Sequence, residues 1–151
     1  MRWGLCSAGM IATDFFNALQ CLNPSEHKIT AVVSKSLEKA KKLADEFKIP
    51  NVYTSYEEFA IDPNIDLVYL STVNIFHHPL SILILNNGKP VLCEKTCACN
   101  TKQTEEMTEL AKSKKLFFME PSCEILLSAT PDEQLLWKLG SRSDHKSLQS
   151  F

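Results

Sequence analysis

Short apolar runs alternate with helical stretches along most of this chain, and that alternation restricts the fold more than any other feature. The runs are Trp3–Cys6, Lys28–Val33, Val52-Tyr53, Asp66–Thr72, Pro90–Cys93 and Leu116–Met119. The fourth carries Leu67, Val68, Tyr69 and Leu70 in succession, which suits a strand buried on both faces rather than a half-exposed one. Between the runs the period changes. Met10, Ile11, Phe15, Ala18 and Leu19 recur at helical spacing, and Leu37, Ala40, Leu43, Ala44 and Phe47 line one face of a second helix. Ser36 can cap that helix, and Ser55-Tyr56-Glu57-Glu58 offers a capping box for a brief third one. Asn74 to Asn87 reads as a loop and helix stopped by Asn86-Asn87-Gly88. Asn100 and Gln103 bracket the start of a further helix, whose buried face carries Met107, Leu110 and Ala111. Asn23-Pro24-Ser25 and Asp62-Pro63-Asn64 read as turns. Strands alternating with helices predict an α/β fold, a doubly wound parallel sheet.

In such sheets ligands gather at the carboxyl ends of the strands. Four stretches with chemistry fall there. The first is the turn after strand one, where Ser7-Ala8-Gly9 leads into Met10 and Ile11. Its frame, Ser7-x-Gly9-x-x-Ala12, approximates the G-x-G-x-x-G/A fingerprint of Rossmann dinucleotide-binding units, with serine in place of the first glycine. Small side chains there let backbone N–H groups approach a pyrophosphate at a helix N-terminus. The second is Ser34-Lys35-Ser36. An acid at this place would accept from the ribose 2′-hydroxyl of NAD, whereas two hydroxyls and a cation suit the 2′-phosphate of NADP. The third and fourth are Thr72–His77 and Glu94–Thr96.

Composition bounds the partners. Hydrophobic residues make up 44% and charged residues 23%, with a formal net charge of −2, ordinary for a globular domain with a core. That balance argues against a nucleic-acid or membrane-surface binder, and no apolar run reaches the ~18 residues of a membrane span. The first strand begins almost at Met1, so no secretory signal is expected. The location expected is cytoplasmic, with Cys6, Cys21, Cys93, Cys97, Cys99 and Cys123 as reduced thiols. The spacing of Cys93, Cys97 and Cys99 is unlike paired zinc ligands, and no metal site is expected.

Several strings carry a family resemblance. They are Arg2-Trp3-Gly4, Ser7-Ala8-Gly9-Met10-Ile11, Ser25-Glu26-His27, Ser55-Tyr56-Glu57-Glu58, Gly88-Lys89-Pro90-Val91-Leu92-Cys93-Glu94-Lys95 and Phe118-Met119-Glu120. Across Met1 to about Glu120 the sequence resembles the glucose–fructose oxidoreductase/inositol dehydrogenase/MocA family. The resemblance implies an NADP-dependent oxidoreductase acting on a small diol or aldose. It implies a catalytic lysine at Lys95, beside the nicotinamide and the substrate hydroxyl, and it implies cofactor contacts from Glu94 and Lys95. Thr72, Asn74 and His77 match the family's Thr-Pro-Asn-x-x-His cofactor loop, with Val73 replacing proline. Thr96 likewise stands where the family has proline.

The expected organisation is a dinucleotide-binding domain over residues 1–120 and a divergent tail over 121–151. Gly140 to Ser150 reads as disordered and Asp132 to Leu139 as one short helix. Relatives go on into an open antiparallel α+β half with further substrate contacts, a catalytic tyrosine or histidine and a homodimer surface, and residues 121–151 do not resemble it. Glu124-Ile125-Leu126-Leu127 reads as a splice or frame variant of a relative's Arg-Phe-containing segment. The chain is therefore expected to be inactive alone, with dimerisation doubtful. The competing readings are a regulatory nucleotide-binding module and a non-functional truncated isoform.

Overall fold

The computed structural model describes residues 1–120 apart from Pro24, so the tail's expected helix and disorder lie outside the described residues. The strands are β1 (Arg2–Cys6), β2 (Lys28–Val33), β3 (Asn51–Tyr53), β4 (Leu67–Leu70), β5 (Val91–Cys93) and β6 (Phe118–Met119). The helices are α1 (Met10–Gln20), α2 (Leu37–Phe47), α3 (Tyr56–Ile61), α4 (His77–Asn86) and α5 (Thr101–Lys114), and a 3-10 turn over Asn74–Phe76 precedes α4. The six strands are all parallel, in the order β3-β2-β1-β4-β5-β6. The chain winds outward from β1 to β3, returns to β4 on the other side of β1, and winds outward again. The order therefore reverses between β1 and β4, which opens a crevice at their carboxyl ends.

Residues alternate across the sheet as period two requires. Cys6, Ala31, Val33, Val68, Leu70, Val91 and Cys93 share a core with Phe59, Ile84, Leu85 and Met107 from α3, α4 and α5. Gly4 belongs to this contact: a Cβ there would lie 2.7 Å from Phe59 Cζ, so the strand needs a glycine. On the other side Phe15 of α1 stacks on Tyr69 at 3.8 Å between ring centroids and meets Trp3 edge-on at 5.2 Å. Phe16 stacks on Phe47 at 3.8 Å and ties α1 to α2. Each such buried ring contributes about 1.5–3 kcal/mol through area alone.

The apolar residues spaced along α1 are not all buried. Ala12, Phe15 and Phe16 are buried, while Met10 and Ile11 are 79% and 49% exposed. The caps follow the sequence: Ser36, Ser55 and Asn100 accept from Lys39, Glu58 and Gln103 N–H. In the Ser55 box, Glu57 rather than Glu58 accepts the serine hydroxyl. Gly88 takes φ +76° after α4, a conformation that favours glycine.

The amino edge of the sheet is closed by charge. Arg2 pairs with Asp66 at 2.6 Å. Buried Lys89 donates from Nζ to the Asp62 and Ile65 carbonyls at 2.6 and 3.0 Å. Desolvation lowers the Lys89 ammonium from its ordinary range, and nearby Asp62 and Asp66 oppose that shift.

Candidate cofactor-binding site

The four stretches singled out in the sequence leave the carboxyl ends of β1, β2, β4 and β5, so one edge of the sheet carries all of them. Cys6 ends β1 fully buried, and burial pushes its thiol well above the usual range, so it is chemically quiet. Ser7 follows at φ +153°, a region that favours glycine, at the position where the fingerprint has its first glycine. Its Oγ accepts from Gly9 N–H at 3.2 Å.

Gly9 is different. It caps α1 with φ −93° and ψ 179°, an extended conformation open to any residue. A Cβ there would meet only Ser7 Oγ, at 3.3 Å. Neither backbone nor packing demands the glycine, but a ligand approaching the backbone would. Ala8 is half-buried, and Met10 and Ile11 stand exposed at the helix start. No side chain caps α1 and its first turn holds no acid, whereas α2, α3 and α5 are each side-chain capped. Ala12 and Thr13 N–H donate to the Gly9 carbonyl, and the positive end of the helix dipole stands at the carboxyl end of β1 without a side-chain cap. This cradle fits a pyrophosphate.

At the end of β2, Ser34 Oγ accepts from Ser36 N–H at 3.2 Å and Ser36 Oγ from Lys39 N–H at 3.3 Å. A hydroxyl that accepts still has its own proton to donate. Lys35 is exposed, and its Nζ lies 5.0 Å from the Phe76 ring centroid. That cation–π contact links the β2 end to the 3-10 turn. Phe76 went unremarked in the sequence, where only its place beside His77 hinted at a role.

At the end of β4, Thr72 is half-buried and Asn74 exposed. His77 is 1% exposed, so the histidine of this stretch is an interior group. Its Nε2 lies 2.9 Å from the Thr72 carbonyl oxygen and its Nδ1 2.8 Å from that of Thr96. His78 is half-buried and pairs with Glu106 of α5 at 2.8 Å.

At the end of β5, Glu94 accepts from Tyr69 O–H at 2.5 Å and from Lys95 N–H at 3.1 Å. Its carboxylate is fixed by the neighbouring strand, which the sequence did not reveal. Lys95 is exposed, and the Lys95–Thr96 peptide is cis. Cys97 N–H donates to Glu120 Oε2 at 2.9 Å, which ties the loop to the end of β6. Among the described residues there is no group of three metal-ligating side chains, and no helix is long and apolar enough to cross a membrane.

An all-parallel sheet with this strand order, and a small-residue turn running into an uncapped helix at its reversal point, defines a Rossmann dinucleotide-binding domain. Residues 1–121 match the oxidoreductase family described as having an NAD-binding Rossmann fold, and the chain belongs to that glucose–fructose oxidoreductase/inositol dehydrogenase/MocA family. It is 44% identical over 120 residues to trans-1,2-dihydrobenzene-1,2-diol dehydrogenase of Mus musculus, a match covering 80% of this chain and 36% of that protein. The Xenopus tropicalis protein of the same name is 42% identical over 119 residues, covering 79% and 36%. The chain thus spans little more than a third of the length of these relatives. In structure it is similar to KijD10, a 3-ketoreductase from Actinomadura kijaniata solved with NADP and TDP-benzene. The TM-score is 0.76 at 23% identity, over 93% of this chain and 42% of that one.

Proposed function

We propose that this chain is the cofactor-binding domain of an NADP-dependent, cytoplasmic oxidoreductase of the dihydrodiol or D-xylose dehydrogenase kind, and that the 151 residues alone bind NADP(H) without turning over substrate. The observation that carries the reading is Gly9, a glycine that its own fold does not require, set at an uncapped helix start in the crevice between β1 and β4. Ala8, Met10 and Ile11 complete that turn and hold the pyrophosphate through their backbone. Ser34, Lys35 and Ser36 take the 2′-phosphate, two hydroxyl donors and one cation at the end of β2. Thr72, Asn74 and His77 shape the wall toward the nicotinamide, and Glu94 sets the backbone of Lys95.

When bound, the nicotinamide supplies or accepts the hydride. Lys95 offers its ammonium to the hydroxyl oxygen of a small diol or aldose and lowers the cost of negative charge developing there. A protonated lysine is a poor base, so the hydroxyl proton needs another acceptor.

The test is a titration of NADPH followed by its fluorescence, beside an assay with NADP⁺ and trans-dihydrodiols or D-xylose. Binding without turnover supports the proposal. A folded chain that binds no dinucleotide overturns it, and turnover overturns its second half.

A further inference from the structure

We propose that Phe76 is a specificity-determining residue of this domain, whose ring holds the Lys35 ammonium at the carboxyl edge of the sheet for the 2′-phosphate of NADP(H). The inference rests on the cofactor reading above and adds to it the residue that sets the phosphate-binding cation. Lys35 Nζ stands 5.0 Å from the centroid of the Phe76 ring, within the ~6 Å over which a ring face attracts an ammonium. The two residues come from different arms of the fold. Lys35 follows β2 and Phe76 ends the 3-10 turn after β4, while the strand order puts β1 between β2 and β4. Their contact therefore reaches across the carboxyl end of β1, the end from which the Gly9 turn leaves.

One partner of the contact is anchored and the other is not. Phe76 N–H donates to the Val73 carbonyl at 2.9 Å, which closes the 3-10 turn. The next residue is buried His77, whose ring nitrogens lie against the Thr72 and Thr96 carbonyls. The backbone that carries the ring is thus fixed just before it and just after it. The ring itself is 40% exposed, so packing in the core is not what places a phenyl group there. Lys35 is exposed on a flexible four-carbon stem, and no ion pair among the described residues includes it. A carboxylate in the place of Phe76 would neutralise the ammonium, and a phosphate would have to displace it. A ring face orients the ammonium and leaves its charge whole. A lysine already oriented has less rotamer freedom to lose when an anion binds, and side-chain ordering is one of the costs of binding. NADH carries no 2′-phosphate, so the benefit falls on NADPH alone.

The experiment titrates the purified chain and its variants with NADPH and with NADH by fluorescence and takes the ratio of the two affinities. A general loosening of the loop weakens both dinucleotides and leaves the ratio alone, whereas loss of the hold on Lys35 moves it. Phe76→Leu is expected to lower the preference for NADPH about two- to fivefold, the worth of one exposed cation–π contact. Phe76→Tyr keeps a ring face and is expected to keep the parent's ratio. In a Lys35→Ala background Phe76→Leu is expected to leave the ratio unchanged, since no ammonium remains to be held. An unchanged or raised ratio in Phe76→Leu overturns the proposal, and so does an equal fall in the Lys35→Ala background. A lowered ratio in Phe76→Tyr overturns it as well, so the test stands even where Phe76→Leu does not fold. The parent chain decides the cofactor reading separately. A parent that prefers NADPH supports that reading whatever the variants do, and a parent without the preference overturns both.

Discussion

His77 holds Thr96 by a 2.8 Å contact between its ring Nδ1 and the threonine carbonyl oxygen. The other ring nitrogen faces the Thr72 carbonyl at 2.9 Å, so one buried imidazole spans the loops that leave β4 and β5. Carbonyl oxygens only accept, so a neutral ring donates to one of them and a doubly protonated ring to both. Replacement by phenylalanine keeps a buried ring and removes the donors. His77→Phe is expected to lose about 1–3 kcal/mol of stability for an orphaned carbonyl, seen as a Tm lower by several degrees. NADPH affinity is expected to fall as well, because both loops border the crevice. His77→Gln, which keeps a donor, is expected to recover part of each. A His77→Phe chain with unchanged Tm and affinity would remove the clasp.

Much of this fold was legible because its elements are short and locally consistent. The run Leu67–Leu70 became the buried strand β4, and Ser36 capped α2 from Leu37 to Phe47. The exposure of Met10 and Ile11 was not legible, since periodicity counts both as apolar whatever surrounds them. The positions of the candidate site followed from strand ends alone. Their couplings did not. The Tyr69–Glu94, His77–Thr96 and Lys35–Phe76 contacts join residues 19 to 41 positions apart, and no local pattern encodes such pairs. Lys89 was visible only as part of a family string, while its work is to hold the Asp62 and Ile65 carbonyls inside the amino edge.

Lys35→Ala is expected to separate the two cofactors. The exposed ammonium at the β2 end favours a 2′-phosphate, and NADH carries none. One charge-assisted contact is worth about 1.5–3 kcal/mol, or roughly ten- to a hundredfold in affinity. Fluorescence titration should show NADPH weakened to that extent and NADH nearly unchanged. Equal losses for both would place the ribose elsewhere.

Gly9→Val is expected to abolish cofactor binding and leave the fold intact. The extended backbone at Gly9 accepts a branched side chain, and the nearest obstacle to its Cβ is the hydroxyl of Ser7. Circular dichroism and Tm should therefore stay close to those of the parent. The added methyls would occupy the space a pyrophosphate needs against the α1 N-terminus. A variant that binds NADPH as before would refute the cradle.

Acid should weaken the amino edge of the sheet through Asp66. The hydrogen bond from Arg2 holds the Asp66 carboxyl below its ordinary range, against a smaller effect of burial. A carboxylate whose pKa is depressed in the folded chain adds stability above its unfolded pKa and loses it as pH falls through the folded one. The loss is therefore expected below about pH 4, and it is small because both side chains are partly exposed. Asp66→Asn should have a slightly lower Tm at neutral pH and a flatter Tm profile in acid. Parallel profiles for parent and variant would show that the pair contributes nothing.

The purified 151-residue chain is expected to show no turnover with NADP⁺ and trans-dihydrodiols or D-xylose, although Lys95 is exposed at the crevice. Oxidation of a secondary alcohol needs a group to take the hydroxyl proton as the hydride leaves. The three tyrosines of the chain are engaged otherwise. Tyr69 donates to Glu94 from inside β4, and Tyr53 donates to Asp62 at 3.0 Å. Burial, with hydrogen bonding to Asp62, raises the Tyr53 pKa, and burial raises that of Tyr56, so neither phenol is a ready base. His77 is enclosed between two carbonyls. Productive geometry also needs a wall that holds the substrate carbon about 3–3.5 Å from the nicotinamide, and positioning of that kind accounts for several kcal/mol of barrier. A Lys95→Ala control run beside the parent makes the assay decisive. Activity in the parent that vanishes in the control would show that Lys95 and its neighbours on this domain complete the reaction unaided.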